Sequence, residues 1–212
     1  EDVVFRQEKK LLEDTETVFT LTFKNHKGWK GLWQTAWSPW NVWAGNRIRR
    51  AIRLHRPDII HLHNLHYAVG PIAVRVARNM GIPTVMTLHN YRLLCPSATL
   101  FYRGDVFTES LHTEFPWKAI RLGLHSHSRV KTFWLAWTVW LHKKIGTWHA
   151  VSRYIVLTDF AKKLFVDSSF GVPENRFAVK PNFISDQYGF VMPERDEHFL
   201  FLGRLTEEKG LV

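Results

Sequence analysis

The sequence predicts an α/β fold, in which a parallel sheet is covered by helices on both faces. Short apolar strand candidates alternate with helical segments along the chain. The strand candidates at 59–63 (IIHLH) and 84–88 (TVMTL) are apolar at most positions, as is typical of strands buried on both faces. The 212 residues, 45% hydrophobic and 23% charged, are enough for one large domain whose core needs no disulfide.

The first part of the chain, residues 1–88, contains three helix candidates and three strand candidates. The VFTLTF run alternates and is rich in β-branched residues, which indicates a strand. Ser38-Pro39 is a good helix start, and Gly81 a good helix end. We therefore expect helices at 1–13, 38–55 and 68–80, strands at 18–23, 59–63 and 84–88, and a loop at 25–31.

The later part begins with a long irregular loop and ends in a polar stretch. Thr158 is a natural N-cap for the helix that follows it. The stretch 185–197 is polar and contains glycine and proline, so it indicates a linker. We expect a loop at 91–116, helical structure at 117–147 and 159–166, and strands at 154–157, 176–179 and 199–202.

Charge and tryptophan are concentrated together. The formal net charge is +10, and residues 111–155 contribute seven Lys or Arg against one acid, Glu114. Five of the ten tryptophans lie in that segment, and Trp29, Trp33, Trp37, Trp40 and Trp43 also recur at helical spacing. Such a stripe is typical of a buried aromatic face, and the alternative is a surface that binds anionic lipid. No nucleic-acid-binding signature occurs, so we expect no nucleic-acid partner.

The carboxyl ends of the predicted strands are where ligands bind in a parallel sheet. His61, His63 and Asn64 lie at the end of one strand, and His89, Asn90 and Tyr91 follow the next. His61-x-His63 with His66 resembles a metal-binding pattern, but no carboxylate lies at a familiar ligand spacing, so we expect no metal. The lone Cys95 has no base beside it and predicts a small buried side chain.

Several motifs together resemble glycosyltransferase family 4, whose members are GT-B enzymes. The two most specific blocks are LHNYRLLCP at 88–96 and GRLTEEKG at 203–210. PDIIHLHNL at 57–65, YIVLTDFA at 154–161 and VKPNFI at 179–184 follow the family pattern in the same order. The resemblance implies two Rossmann-like domains, the first binding the acceptor and the second a nucleotide-diphosphate sugar.

The resemblance also implies roles for individual residues. His89 matches the catalytic histidine that contacts the transferred sugar. Arg204 and Lys209, with Gly203, match the residues that bind the donor diphosphate. The implied acceptor and cleft residues are His63, Asn64, Asn90, Tyr91 and Glu1. The family transfers sugars from nucleotide-diphosphate donors with retention of configuration. The resemblance therefore implies a nucleotide sugar as co-substrate and neither a cofactor nor a metal.

The resemblance further predicts how the chain is divided. We expect the acceptor domain at 1–184, a linker at 185–197 and the start of the donor domain at 198–212. The family's first strand and Gly-rich turn would precede Glu1, and its E-x7-E motif would follow Val212. The chain is therefore expected to be a fragment that is inactive alone.

The expected function is that of a retaining hexosyltransferase acting on a glycan or lipid-linked acceptor in cell-envelope polysaccharide synthesis. We expect a cytoplasmic protein that lies peripherally on the inner face of the membrane. The alternative is a non-catalytic GT-B-like module that binds an anionic membrane through residues 111–155.

Overall fold

The computed structural model describes residues 2–65 and 67–183, together with residues 197, 201 and 203. The helices are α1 (Asp2–Glu13), α2 (Gly28–Trp37), α3 (Val42–His55), α4 (Ile72–Asn79), α5 (Trp117–Leu122), α6 (Arg129–Lys144) and α7 (Asp159–Asp167). The strands are β1 (Ile60–His63), β2 (Thr84–Leu88), β3 (Phe101–Tyr102), β4 (Asp105–Val106), β5 (Arg153–Val156) and β6 (Phe177–Val179). The predicted linker and the strand at 199–202 lie largely outside these residues, so the division into domains stays a prediction.

Four strands form one parallel sheet in the order β1-β2-β5-β6. In its register His63 lies beside Thr87, and Leu88 lies beside Val156. Because all four strands run in the same direction, their carboxyl ends meet at one edge. β3 and β4 form a separate antiparallel hairpin. The predicted α/β class with a helix-flanked, Rossmann-like parallel sheet is confirmed.

The core lies between the sheet and the helices that follow its strands. Met86 and Tyr154 are neighbours on one face of the sheet, and the Tyr154 hydroxyl donates to the Trp148 carbonyl at 2.7 Å. The α4 residues Val74 and Val76 are fully buried. Cys95 is also fully buried, as predicted. Burial of this apolar surface supplies most of the driving force for the fold.

Several predicted boundaries are confirmed by the local chemistry that predicted them. The Thr158 hydroxyl accepts from the Ala161 amide at 3.1 Å and caps α7. Gly81 has φ +73 directly after the end of α4, where a side chain would be strained. β2 spans the predicted residues, although α4 begins four residues later than expected.

The prediction of a strand at 18–23 is wrong. This segment pairs with no strand of the described chain and instead contacts α3. The Phe19 ring stacks on His55 with centroids 3.9 Å apart, and the Arg47 guanidinium lies 4.7 Å from the Phe23 ring centre. The alternating apolar side chains of this segment therefore pack against a helix and do not indicate a strand. The predicted loop at 25–31 is also shorter, because α2 begins at Gly28.

The predicted helix at 38–55 is interrupted near its start. Residues Ser38–Trp40 form a short 3₁₀ turn, and the cap of α3 is Asn41, whose side chain accepts from the Ala44 amide at 3.0 Å. Later, Gly123 ends α5 with φ +65 and divides the predicted helical segment 117–147 in two. The β3–β4 hairpin gives structure to the predicted loop at 91–116.

The buried interpretation of the first tryptophan stripe is wrong. Trp29, Trp33 and Trp37 lie on one face of α2 and are 58–67% exposed, and Trp43 is 85% exposed. We call Trp29, Trp33 and Trp37 the tryptophan face; Trp43 lies on α3. In the second group Trp148 is buried, whereas Trp117 is exposed. No helix in the described part of the chain is both long and apolar enough to cross a membrane.

Candidate active site

The carboxyl ends of β1 and β2 bring a group of histidines together. Side chains alternate along a strand, so His61 and His63 share one face of β1, and Thr87 lies beside His63 on β2. Nδ1 of His63 is 3.1 Å from Nε2 of His89, and Nε2 of His61 is 2.7 Å from the Thr87 hydroxyl. The structure thus brings together two of the residues singled out from the sequence, His63 and His89.

A buried acid from α1 covers this histidine group. Glu8 is only 6% exposed, and its Oε2 lies 3.1 Å from Nε2 of His63. The other oxygen, Oε1, pairs with the ammonium group of Lys180, which follows β6. The Phe5 ring packs edge-on against His63 with centroids 5.5 Å apart. α1 therefore places a carboxylate and an aromatic ring directly over the strand end.

Sequence reasoning missed both Glu8 and Lys180. Glu8 lies one helical turn after Phe5, so an acid on the packed face of α1 was the available signal. Lys180 lies within the VKPNFI motif, which by itself predicts no role for it. The acid expected to matter was Glu1, which lies outside the described residues.

Burial keeps His61 and His63 neutral at physiological pH. It is the largest cause that lowers the pKa of His63 to about 4, helped by the nearby His61 and opposed by the Glu8 carboxylate. Burial likewise lowers the pKa of His61, again against Glu8. A neutral imidazole has one N–H donor and one acceptor nitrogen. The group can therefore both donate to and accept from the hydroxyl groups of a ligand.

A small cleft opens beside the histidines. Its interior volume is about 40 Å³, which holds only a few water molecules. Asn64 has φ +46 in the left-handed region, and the Asn90 side chain accepts from the Arg92 amide at 3.1 Å. The cleft is lined by residues that include Ser38, Asn64, Tyr67, His89, Asn90 and Trp148.

Tyr91 contributes to the structure of the loop that follows β2. Its amide donates to the Ala98 carbonyl at 2.9 Å, and its own carbonyl accepts from the Leu94 and Cys95 amides. The ring lies 6.1 Å from Phe165, and burial raises the pKa of its hydroxyl. These contacts fix the backbone just after His89.

A second polar cluster that sequence reasoning missed lies near the cleft. The Tyr67 hydroxyl contacts Nε2 of His125, and an Arg92 nitrogen lies 3.4 Å from Nδ1 of the same ring. Burial, then the positive charges of Arg92 and Lys131, lower the pKa of His125 to about 4. His125 lies far along the chain from Tyr67, so only tertiary structure joins them.

The predicted donor residues lie mostly outside the described part of the chain. Arg204 and Lys209 are not among the residues that the structure describes. Gly203 lies in a bend, where an added Cβ would come within 2.8 Å of the Phe201 ring. The diphosphate-binding roles of these three residues stay predictions.

Comparison with known proteins gives one match. A family model described as Glycosyltransferase Family 4 matches residues 3–188, well over half of the chain. The searches of curated proteins and of solved structures return no match. The matched range includes all of α1 except its first residue, all four strands of the sheet and the histidine group.

Proposed function

The chain belongs to glycosyltransferase family 4, and we propose that it transfers a sugar from a nucleotide-diphosphate donor to a glycan or lipid-linked acceptor. The family match shows a glycosyltransferase-like module and implies a sugar donor and an acceptor in general. The nucleotide donor, the lipid-linked or glycan acceptor and retention of anomeric configuration belong to the proposal.

The contact between His63 and His89 at the carboxyl edge of the sheet is the observation that carries this proposal. Ligands of open parallel sheets bind at that edge. We assign His89 as the catalytic residue that hydrogen-bonds to the transferred sugar. His63 is a positioning residue, because its Nδ1 lies 3.1 Å from the His89 ring and Glu8 holds its other side.

The proposed chemistry places positive charge where the donor breaks. As the glycosidic bond to the diphosphate cleaves, negative charge develops on the departing phosphate oxygen. Arg204 and Lys209 are proposed to stabilise that charge, with Gly203 allowing close approach of the backbone. The leaving phosphate can then accept the proton of the attacking acceptor hydroxyl, so the step needs neither a metal nor a separate carboxylate base.

The cleft is small, so we propose that it contacts part of the acceptor and does not enclose a whole sugar. At about 40 Å³ it is too small to enclose a sugar ring. We propose that Asn64 and Asn90 contact the acceptor at its mouth, and that Tyr91 holds their loop in place. Residues 1–184 would then form the acceptor domain, and a donor domain would supply the opposite wall.

An assay of the protein as its gene encodes it tests this function. Nucleoside diphosphate release is measured with a panel of nucleotide sugars and membrane glycolipids, and the anomeric configuration of the product is read by NMR. His89→Ala should lower kcat/KM by about 100-fold or more. The control His149→Ala removes an exposed imidazole whose ring bonds the Gly171 carbonyl, and it should leave the rate unchanged. Full activity of His89→Ala would refute the assignment, and an inverted product would refute retention.

A second candidate function is binding to an anionic membrane surface, and the tryptophan face favours it. Its three tryptophans are more than half exposed, as are Leu32 on the same helix and Trp43 on α3. Residues 24–56, which include α2 and α3, contain eight Lys or Arg and no Asp or Glu. Indole rings at the headgroup level beside Lys and Arg are typical of surfaces that bind anionic lipid.

The basic segment 111–155 adjoins this surface. Nε1 of Trp134 on α6 donates to the Thr35 carbonyl on α2 at 2.8 Å. Part of the positive charge of the segment is neutralised locally, because Lys118 pairs with Glu109 and Lys144 pairs with Glu114. The proposed membrane surface is therefore centred on α2 rather than on residues 111–155, and it would keep the protein peripheral on the cytoplasmic side.

Co-sedimentation with vesicles tests this second function. We expect binding to vesicles that contain phosphatidylglycerol, weaker binding to pure phosphatidylcholine and release at high salt. Trp33→Ala with Trp37→Ala should weaken binding at least about 10-fold. Phe160→Ala is the control, since Phe160 is 68% exposed on α7. Equal binding by the tryptophan variant and wild type would refute the surface.

A further inference from the structure

Three side chains that commonly bind metals converge between α1 and β1. They are Glu8, His61 and His63, and one ligand atom from each lies within 4.8 Å of the other two. The sequence indicated the two histidines but no metal, because the carboxylate comes from the N-terminal helix and lies at no recognised spacing from them. Folding supplies the missing carboxylate.

The Glu8 carboxylate is incompletely satisfied. Within the described part of the chain, its buried Oε2 accepts no hydrogen bond of good geometry, although Nε2 of His63 lies 3.1 Å away. Its Oε1 is already paired with Lys180. A buried polar atom without a partner requires an explanation, and a bound cation is one.

The other ring nitrogens of both histidines already have partners. Nε2 of His61 lies 2.7 Å from the Thr87 hydroxyl, and Nδ1 of His63 lies 3.1 Å from Nε2 of His89. Histidines that bind metals nearly always use the second nitrogen in such a bond, which fixes the ring and the tautomer. This arrangement assigns His61 Nδ1 and His63 Nε2 as the ligand atoms.

We propose that Glu8, His61 and His63 form a binding site for a first-row divalent metal, with Zn²⁺ as the preferred ion. Two imidazoles and one carboxylate are a familiar ligand set for Zn²⁺, and water completes the tetrahedron. Zn–N distances of 2.0–2.1 Å imply ligand atoms roughly 3.3 Å apart. Because these atoms now lie within 4.8 Å of one another, binding would bring each pair closer by about 1.5 Å at most. The Lys180 ammonium, which pairs with Glu8, limits the affinity for a cation by charge repulsion.

The site would act as a clasp between the N-terminal helix and the sheet. The metal would bind only when α1 covers β1, so it stabilises the folded arrangement by mass action. It does not depend on the proposed transfer reaction, in which no metal takes part. Loss of one proposal therefore leaves the other intact.

Titration of the metal-free chain with Co²⁺ tests the site, because tetrahedral Co²⁺ has intense d–d absorption. We expect one Co²⁺ per chain, displacement by Zn²⁺, and a Tm that rises with Zn²⁺ concentration. Glu8→Gln and His61→Gln should each weaken Zn²⁺ binding by at least about 100-fold in competition with a chromophoric chelator. His149→Gln is the matched control and should bind like wild type.

Two outcomes would overturn the proposal. One is the absence of the tetrahedral Co²⁺ spectrum in the wild-type chain, which requires no variant. The other is wild-type affinity in Glu8→Gln and His61→Gln, which would mean that other histidines hold the metal. Circular dichroism shows whether each variant is folded. The two substitutions lie on different elements, α1 and β1. If one variant does not fold, the metal affinity of the other still tests the site.

Discussion

Gly70 is the position at which a single methyl group should disturb the cleft most. It lies in the segment that joins β1 to α4, and its φ is +76. A Cβ built there would lie 2.0 Å from the Ser38 carbonyl oxygen, whereas real Cβ contacts essentially never fall below 3.0 Å. Gly70→Ala therefore forces the cleft wall away from the turn at Ser38–Trp40 by about 1 Å or more.

Comparison with a matched glycine separates the two parts of the stability loss, the backbone strain and the steric clash. Gly81 has nearly the same φ, +73, but an added Cβ there meets nothing within 4 Å. Both substitutions pay about 1–2 kcal/mol for an L-residue in the left-handed region. Gly70→Ala adds about 1–3 kcal/mol of overpacking, and about 1 kcal/mol if the bond from the Asn41 side chain to the Ala68 carbonyl is lost. With that bond lost, we expect a loss of roughly 3–6 kcal/mol for Gly70→Ala and roughly 1–2 kcal/mol for Gly81→Ala.

Urea denaturation of the two variants and wild type measures these losses as free energies of unfolding. The slope m should stay constant, so that a change in midpoint reports stability. A difference between the two variants of at least about 2 kcal/mol is expected from the structure. Equal losses in Gly70→Ala and Gly81→Ala would refute the close approach of Gly70 to Ser38.

Three further predictions concern polar side chains that join distant parts of the chain. His142→Leu should cost about 2–4 kcal/mol of unfolding free energy in urea, because the fully buried ring bonds the Pro39 carbonyl at 2.7 Å and the Thr147 hydroxyl at 2.9 Å; a neutral effect would contradict this. His125→Gln should flatten the pH dependence of stability. The unfolded ring binds protons from pH 6.5 and the folded ring only near pH 4, so the wild type loses stability as the pH falls through that window. The half-exposed ring reduces this loss to about 1–2 kcal/mol, and an unchanged slope between pH 6.5 and 4 would contradict the assignment. Trp134→Phe keeps an aromatic side chain but replaces the indole by a smaller ring without the N–H that donates to the Thr35 carbonyl. Calorimetry should therefore show a loss of at least about 1 kcal/mol, and an unchanged Tm would argue against the α2–α6 contact.

Much of the fold could be predicted because its signals are local. The TVMTL strand, the Thr158 cap and the Gly81 stop each depend on a few adjacent residues, and the structure has all three. The prediction of a strand at 18–23 is wrong because alternation of apolar and polar residues does not specify what the apolar side chains contact. Phe19 and Phe23 pack against α3 and the residues near it, not within a sheet.

The candidate site was predictable only where it follows the strand ends. His63 and His89 were expected at one edge because parallel strands end together, and they are 3.1 Å apart. Glu8 was missed because an acid among the charges of an exposed helix resembles any solvated side chain. Its burial depends on where α1 lies against the sheet, which no local pattern specifies.

The tryptophans divide the two kinds of information most clearly. The sequence alone determined the parallel α/β class, the family resemblance and the residues at the strand ends, since those follow from local propensity, strand direction and motif order. Helical spacing could not decide whether a tryptophan stripe is core or surface, because periodicity defines a face but not its neighbour. Only the tertiary structure exposed Trp29, Trp33 and Trp37 and buried Glu8 beside His63, since burial is set by which elements pack together.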